Sequence, residues 1–198
     1  TYVTRYGAGY NSGNGRVNCI AFHPTIANQL IIGTPQGGIW KTTNNGASWF
    51  ALTDNLPSSA IGGLVWDYNN SNIIYALTGD GDASGGGFVS TYGYNVPSLG
   101  VFKTTDGGSS WQLTGDFPGV IGNFHGYKLM QHPSAPSTLF AATTDGIYRT
   151  TNGGTSWTQV QVGNFTDIGF KPGDPTIMYA AERSSSTPFW RSTNSGVT

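Results

Sequence analysis

One short phrase recurs four times along the chain. Lys41 to Trp49 reads KTTNNGASW, Lys103 to Trp111 reads KTTDGGSSW, Arg149 to Trp157 reads RTTNGGTSW, and Arg191 to Thr198 reads RSTNSGVT. A basic residue, two hydroxyl residues, an Asn or Asp and a glycine keep their order each time, and a tryptophan closes the first three copies. Recurrence of this kind means that one supersecondary unit is copied along the chain, which settles the architecture before any single residue is weighed.

Each phrase belongs to a longer unit. In the first, strand-like runs cover Val17 to Phe22, Gln29 to Gly33 and Gly38 to Thr42, and Ser48 to Leu52 follows the phrase. The second offers Ile61 to Asp67, Ile73 to Thr78, Gly100 to Thr104 and Ser110 to Leu113. The third offers His125 to Gln131, Thr138 to Ala142, Gly146 to Thr150 and Ser156 to Val162. The fourth offers Phe165 to Phe170, Ile177 to Ala181 and Phe189 to Ser192. These runs are β-branched and aromatic, and turn residues bound them. No segment shows a 3.6-residue apolar period, so essentially no helix is expected. A second element repeats as well: FHPTIANQL, WDYNNSNII, QHPSAPSTL and FKPGDPTIM each follow the first strand of a unit. Pro24, Pro133 and Pro172 fix φ there and remove a backbone donor, so they end the strand.

Four short strands per unit is the pattern of a β-propeller blade. The turn Asx residues lie 62 residues apart between Asn44 and Asp106, then 46 to Asn152 and 42 to Asn194. The two shorter spacings match a bare blade, and the longer one contains an insertion, Gly79 to Leu99. The expected fold is all-β: a partial propeller of about four blades, each a four-stranded antiparallel sheet, over residues 16–53, 60–114, 124–162 and an incomplete 163–198. A ring of six to eight blades needs about 270 to 360 residues. The chain has 198, so it is expected to be part of a larger ring whose remainder is a partner.

Composition narrows the partners. Only 10% of the residues are charged, with 9 basic and 10 acidic, so no basic field exists to attract nucleic acid. No run of about 18 apolar residues is present, so no membrane span is expected. The low charge with many hydroxyl and amide groups suits an extracellular or cell-surface setting. The chain starts at Thr1, as expected of a mature, processed or trimmed product. The single cysteine, Cys19, cannot form an intrachain disulfide, and its apolar setting VNCIAF reads as a buried inert thiol.

The phrase resembles the Asp-box, or bacterial neuraminidase repeat, Ser-x-Asp-x-Gly-x-Thr-Trp. The resemblance implies a tight hairpin between the third and fourth strands of each blade. Asn44, Asp106, Asn152 and Asn194 would hold backbone amides of the turn. Gly46, Gly108, Gly154 and Gly196 would take positive φ, and Trp49, Trp111 and Trp157 would pack across. Asn in three of the four copies keeps the turn-forming oxygen and loses the charge, which fits a structural part. The wider pattern, in GRVNCIAFHP, LIIGTPQGGIWKTTNNG and GVFKTTDGGSSW, is similar to sortilin-like propellers of secreted and surface proteins of Bacteroidetes. That resemblance implies type IX secretion.

Asp-boxes also occur in sialidases and in xyloglucan-cleaving propellers, and each makes demands. A sialidase needs an arginine cluster for the substrate carboxylate and a Tyr nucleophile assisted by Glu. Here Arg149 and Arg191 belong to the repeated phrase, Glu182 is the single glutamate, and the family's Arg-Ile-Pro signature is absent. The xyloglucanases carry a catalytic Asp in a Thr-Asp-x-Gly-Gly segment of the first blade. The matching segment here, Thr34 to Gly38, reads TPQGG and has no carboxylate. Their second carboxylate lies on another domain, and hydrolysis needs both. His23, His125 and His132 show no metal-binding spacing, and no catalytic residue or metal site is assigned.

The residues that break the repeat are the candidates for binding. Successive loops of a propeller alternate between its faces, so the insertion is expected on the face opposite the phrase hairpins. It carries Asp80, Asp82, Phe88, Tyr92 and Tyr94, and the link Thr114 to Tyr127 brings Phe124 to the same face. Aromatic faces suit sugar rings, and Asp80 with Asp82 is the pair that could collect calcium as a cofactor. The expected function is non-catalytic binding or adhesion to a polysaccharide or surface protein. The alternatives are a fragment of a secreted glycoside hydrolase, xyloglucanase- or sialidase-like, and a structural subunit of a surface filament or secretion assembly.

Overall fold

The computed structural model describes residues 16–84, 96–115, 117, 124–183 and 188–197. Four antiparallel sheets follow one another along the chain. The first holds β1 (Cys19–Phe22), β2 (Leu30–Gly33), β3 (Ile39–Thr42) and β4 (Phe50–Ala51). The second holds β5 (Ile61–Trp66), β6 (Ile74–Thr78), β7 (Val101–Thr104) and β8 (Gln112–Leu113). The third holds β9 (Gly126–His132), β10 (Ala135–Thr143), β11 (Gly146–Thr150) and β12 (Thr158–Val162). The fourth holds β13 (Phe165–Lys171), β14 (Asp174–Glu182) and β15 (Phe189–Ser192). Within every sheet the strands lie in chain order, the up-and-down meander of a propeller blade. Among the described residues the only helical turn is a 3-10 turn at Gly81–Ser84.

The first strands sit side by side: β1 packs on β5, β5 on β9, and β9 on β13. The blades therefore fan out from one inner wall as a partial propeller. Strand periodicity sends alternate side chains to opposite faces, and in the middle blades both faces are covered. Leu64, Trp66, Ile74 and Ala76 meet Ile31 and Ile39 of the first blade. Val65, Tyr75, Leu77 and Val101 meet Leu129, Leu139 and Tyr148 of the third. Phe140, Ala142 and Ile147 meet Phe165, Ile168 and Met178 of the fourth. The core is thus three slabs, one per junction. Glycines at the inner wall allow the close approach: a Cβ on Gly63 would lie 2.4 Å from the Leu129 amide nitrogen.

The four phrase hairpins share one hydrogen-bond pattern. Thr42 Oγ1 donates to Asn44 Oδ1 at 2.9 Å and accepts the Gly46 amide at 2.8 Å, while Asn44 Oδ1 also takes the Ser48 amide at 2.9 Å. Thr104, Asp106, Gly108 and Ser110 repeat it, as do Thr150, Asn152, Gly154 and Ser156. Ser192, Asn194 and Gly196 repeat the first two bonds, while the amide that reaches Asn194 Oδ1 is that of Val197, three residues on instead of four. Two consecutive residues take positive φ in each turn, so Asn45 and Ser195 stand at φ 55° and 54° where the other copies have Gly107 and Gly153. The tryptophan then wedges between blades. Trp111 Nε1 donates to the Leu52 carbonyl at 2.9 Å, and Trp157 Nε1 to Thr114 Oγ1 at 3.1 Å, each reaching the preceding blade.

The leading basic residue of the phrase is also a packing group. Lys41 Nζ lies 5.1 Å from the Trp66 ring centre, Lys103 Nζ 5.1 Å from that of Tyr75, and the Arg149 guanidinium 5.8 Å from that of Phe140. His23 and His132 close the Pro turns: each Nδ1 accepts backbone amides, and each ring stands edge-on to an aromatic of the next blade, Trp66 or Phe170. Cys19 is half-buried as a residue, yet it packs on the core between the first two blades, and burial pushes its thiol up to about 12.

Candidate functional site

The β1–β2 turn and the β3–β4 phrase hairpin lie at one end of a blade, so the β2–β3 loop and the inter-blade link lie at the other. The insertion, between β6 and β7, belongs to that second face. Its described part opens with Asp80, which is 5% exposed. Arg16 Nη2 pairs with Asp80 Oδ2, and Asn18 Nδ2 donates to Asp80 Oδ1 at 3.3 Å and to the Ile61 carbonyl at 3.0 Å. The Asp80 amide donates to the Val96 carbonyl at 3.3 Å, closing the base of the insertion. Asp80 is therefore a buried tie between the start of the first blade and the loop of the second. Asp82 follows in the 3-10 turn and is exposed.

Several buried polar groups gather at this end of the inner strands. His125 is 8% exposed; its amide takes Thr144 Oγ1 as acceptor at 2.9 Å, and its Nε2 has no partner. Burial pushes its pKa below the ordinary imidazole value, and the Asp80 charge acts the other way. The Tyr127 ring lies against Gly81, where a Cβ would stand 2.5 Å from it, and the Tyr127 hydroxyl has no partner. Asn18 Oδ1 and Asn164 Oδ1 are likewise buried and unpartnered. Asn18, His125 and Asn164 each stand just ahead of an inner strand, β1, β9 and β13. Orphaned buried polar atoms are scarce in proteins, and three of these four residues stand at the same end of their inner strands.

The expected binding residues divide three ways. Asp80 is in this cluster but is engaged by Arg16 and Asn18, and Asp82 is at its edge. Phe88, Tyr92 and Tyr94 lie outside the described residues. Phe124, expected on the ligand face, is 1% exposed and packs with Phe117 and Tyr148, ring centres 5.4 and 6.0 Å away. It is a core residue, packed into the slab between the second and third blades. Of the pair considered for calcium, one Asp80 oxygen faces a guanidinium, and no group of three acidic, His or Cys residues converges among the described residues.

The β2–β3 loop, Thr34 to Gly38, closes on itself. The Gly37 amide donates to Thr34 Oγ1 at 2.8 Å, and Trp40 Nε1 donates to the Gly37 carbonyl at 2.7 Å. With Arg16, Val17, Gln36 and Trp49 it borders an open groove on the first blade in which Trp40 and Trp49 are 36% and 37% exposed. Among the described residues no carboxylate lines it. Trp40 was not singled out from the sequence, where it reads as one more strand aromatic; the signal is that it shares a row with Ile20 and Ile32 across β1, β2 and β3.

No protein-family model matches this sequence, and no curated protein does. Solved structures do. An ancestral GH74 enzyme is 26% identical over 85% of the chain with a TM-score of 0.65, and the chain covers 22% of it. The GH74 xyloglucanase from Xanthomonas campestris is 18% identical over 94% of the chain with a TM-score of 0.70, 30% of it being covered. The extracellular domain of BT4673 from B. thetaiotaomicron is 12% identical over 93% of the chain with a TM-score of 0.60, 23% of it being covered. These neighbours are β-propeller proteins, and the chain spans less than a third of each. No helix among the described residues is long and apolar enough to cross a membrane.

Proposed function

We propose that the chain is part of an extracellular propeller of the glycoside-hydrolase kind that handles polysaccharide, and that this segment supplies binding surface without a catalytic carboxylate pair. The observation that carries the reading is the likeness to the ancestral GH74 enzyme, 26% identical along 85% of the chain. An extracellular or cell-surface place goes with it, as does a polysaccharide partner. The Asp-box reading of the four hairpins and the sortilin-like, type IX secreted character are part of the same proposal.

Binding without cleavage is favoured by the carboxylates. Glycoside hydrolysis requires two of them flanking the scissile bond. In the TPQGG loop Pro35 stands where the resembled segment has its acid, and Asp80 is held by Arg16. Asp106 is held in its hairpin by Thr104 and Ser110, and Asp145 accepts the Tyr148 hydroxyl at 2.5 Å. The surface that would meet sugar comprises Asp82, the remainder of the insertion with Phe88, Tyr92 and Tyr94, and the Trp40 and Trp49 groove.

Affinity electrophoresis on xyloglucan and related β-glucans, run beside an assay of released reducing ends, tests the reading. Retardation without release is expected. Release by the chain alone overturns the non-catalytic part, and neither retardation nor release overturns the polysaccharide partner. In the second outcome an adhesion or assembly role toward protein becomes the better account.

A further inference from the structure

The junction between the second and third blades departs from the one before it at two aligned positions. Gln112 stands where the first blade has Phe50, since they pair with Lys103 and Lys41. Thr114 stands where the first blade has Leu52, since their amides donate to the Val101 and Ile39 carbonyls. Leu52 packs on the slab between the first two blades, and a Cβ on Gly108 would lie 3.0 Å from its side chain. The exchange of Phe for Gln and of Leu for Thr makes the later junction polar. A cleft of about 540 Å³ lies there between two successive phrase hairpins, bordered by Lys103, Thr105, Ser110, Gln112, Thr114 and Thr155.

The cleft offers hydrogen-bond donors and one positive charge. Lys103 Nζ lies 5.1 Å from the centre of the Tyr75 ring, and a Cβ on Gly153 of the third blade would stand 3.7 Å from it. With no side chain at Gly153, the ammonium stays open on that side. Among the described residues no hydrogen bond or ion pair engages the Lys103 ammonium, the Thr105 hydroxyl or the Gln112 amide group. Thr105 and Gln112 are exposed, so a solute can reach them. The other hydroxyls are already committed: Thr114 Oγ1 to Trp157 and Val101, Thr155 Oγ1 to the Asn152 carbonyl, and Ser110 Oγ to Asp106. Among the described residues no acidic group lines the cleft. Asp106, next to it through Ser110, has both carboxylate oxygens occupied by hydroxyl donors.

We infer that this cleft binds an oxyanionic group of an acidic polysaccharide, the carboxylate of a uronate or a sulfate ester. Lys103 supplies the counter-charge, and Thr105 and Gln112 donate hydrogen bonds to the oxyanion or to hydroxyls beside it. Charge-assisted bonds of this kind are the strong ones, and salt weakens them at an exposed site. Such a ligand presupposes the polysaccharide reading of the chain, yet it meets the face opposite the insertion.

The test follows amide chemical shifts of the 198-residue chain with an oligogalacturonate, a κ-carrageenan oligosaccharide and inorganic sulfate. Saturable shifts are expected at Thr105, Gln112 and Gly153 to Thr155 with at least one of the two glycans, and the tighter one identifies uronate or sulfate ester. Lys103→Met keeps the stem over Tyr75 and should bind about tenfold more weakly. Gln112→Phe, which copies the first junction, should also weaken binding. Absence of saturable shifts with both glycans, or equal affinity in Lys103→Met, overturns the inference. So does inorganic sulfate binding as tightly as the glycans, which would mean an oxyanion site with no preference for sugar. Xyloglucan retardation is measured on the same samples. Retained in Lys103→Met, it shows an intact fold. Missing from the unaltered chain, it counts against the proposed function, while the acidic glycans still decide this inference separately.

Discussion

Trp157 on the third blade donates its indole N–H to Thr114 Oγ1 on the second, and that hydroxyl donates in turn to the Val101 carbonyl. A residue of the repeated phrase is thus a rivet between neighbours. Trp49 heads the first blade and lies instead across its own hairpin, 3.5 Å from where a Cβ on Gly46 would be, and is 37% exposed.

The two tryptophans should therefore differ sharply. Trp157→Ala removes a buried indole and is expected to cost about 3–5 kcal/mol. Trp49→Ala, at the surface, should cost under about 1 kcal/mol. Urea denaturation midpoints of the two variants decide, and equal losses would contradict the rivet role.

Asp106 sets a pH dependence. Hydrogen bonds from the Ser110 and Thr104 hydroxyls and from the Ser110 amide hold its carboxyl well below the ordinary 3.8. A depressed folded-state pKa gives stability that is present above the unfolded value and is lost as pH falls from there toward the folded one. In the other hairpins Asn44 Nδ2 donates to Ser48 Oγ and Asn152 Nδ2 to Ser156 Oγ, both at 2.9 Å. In the second, Ser110 Oγ donates to Asp106 Oδ2 at 2.6 Å, so the same link runs the other way. Asp106→Asn should keep the fold at neutral pH and flatten the fall in melting temperature below pH 4. An unchanged acid limb would show that the hairpin charge is uncoupled from folding.

Gly63 is expected to tolerate nothing larger. Gly63→Ala drives a Cβ onto the backbone of β9 and should cost about 1–3 kcal/mol. Gly169 in β13 has no neighbour within 4 Å of such a Cβ, so Gly169→Ala is the control and should lie near zero. Thermal unfolding of the pair separates steric closeness from mere loss of a strand glycine.

Removal of Arg16 should leave Asp80 buried with its charge uncompensated. Arg16→Ala is expected to lose about 1–3 kcal/mol at pH 7. The loss should shrink when Asp80 is also changed to Asn, because the stranded charge is then gone. A double-mutant cycle measures this, and additive losses would mean that the pair contributes no coupling.

Much of the architecture was legible because repetition supplies its own control. β11 spans Gly146–Thr150 and β15 spans Phe189–Ser192, the bounds read from the sequence. β14 runs three residues beyond its expected start at Ile177, because Asp174 pairs back to Lys171 through a tight turn. The site was harder. Phe124 stands in GNFHGY, a polar, glycine-rich link with no counterpart in the other units, so nothing in its surroundings marks it as inward-facing. The role of Lys41, Lys103 and Arg149 over aromatic rings was hidden for the opposite reason: their constancy looked like part of a turn signature. The orphaned atoms of Asn18, His125, Tyr127 and Asn164 come from separate units, and only the fan of blades gathers them at one end.

The slab arrangement of the core has a mechanical consequence. The main strand contacts among the described residues run between adjacent blades, so the chain behaves as a short linear array whose stability is a sum of blade and junction terms. Among the described residues the second and third blades are packed on both faces, whereas the first and fourth each show apolar side chains on an outer face, Ile20 and Phe22 at one end and Phe189 at the other. Unfolding should then proceed by fraying from the two ends inward, with the amides of β6 and β10 the last to exchange with solvent.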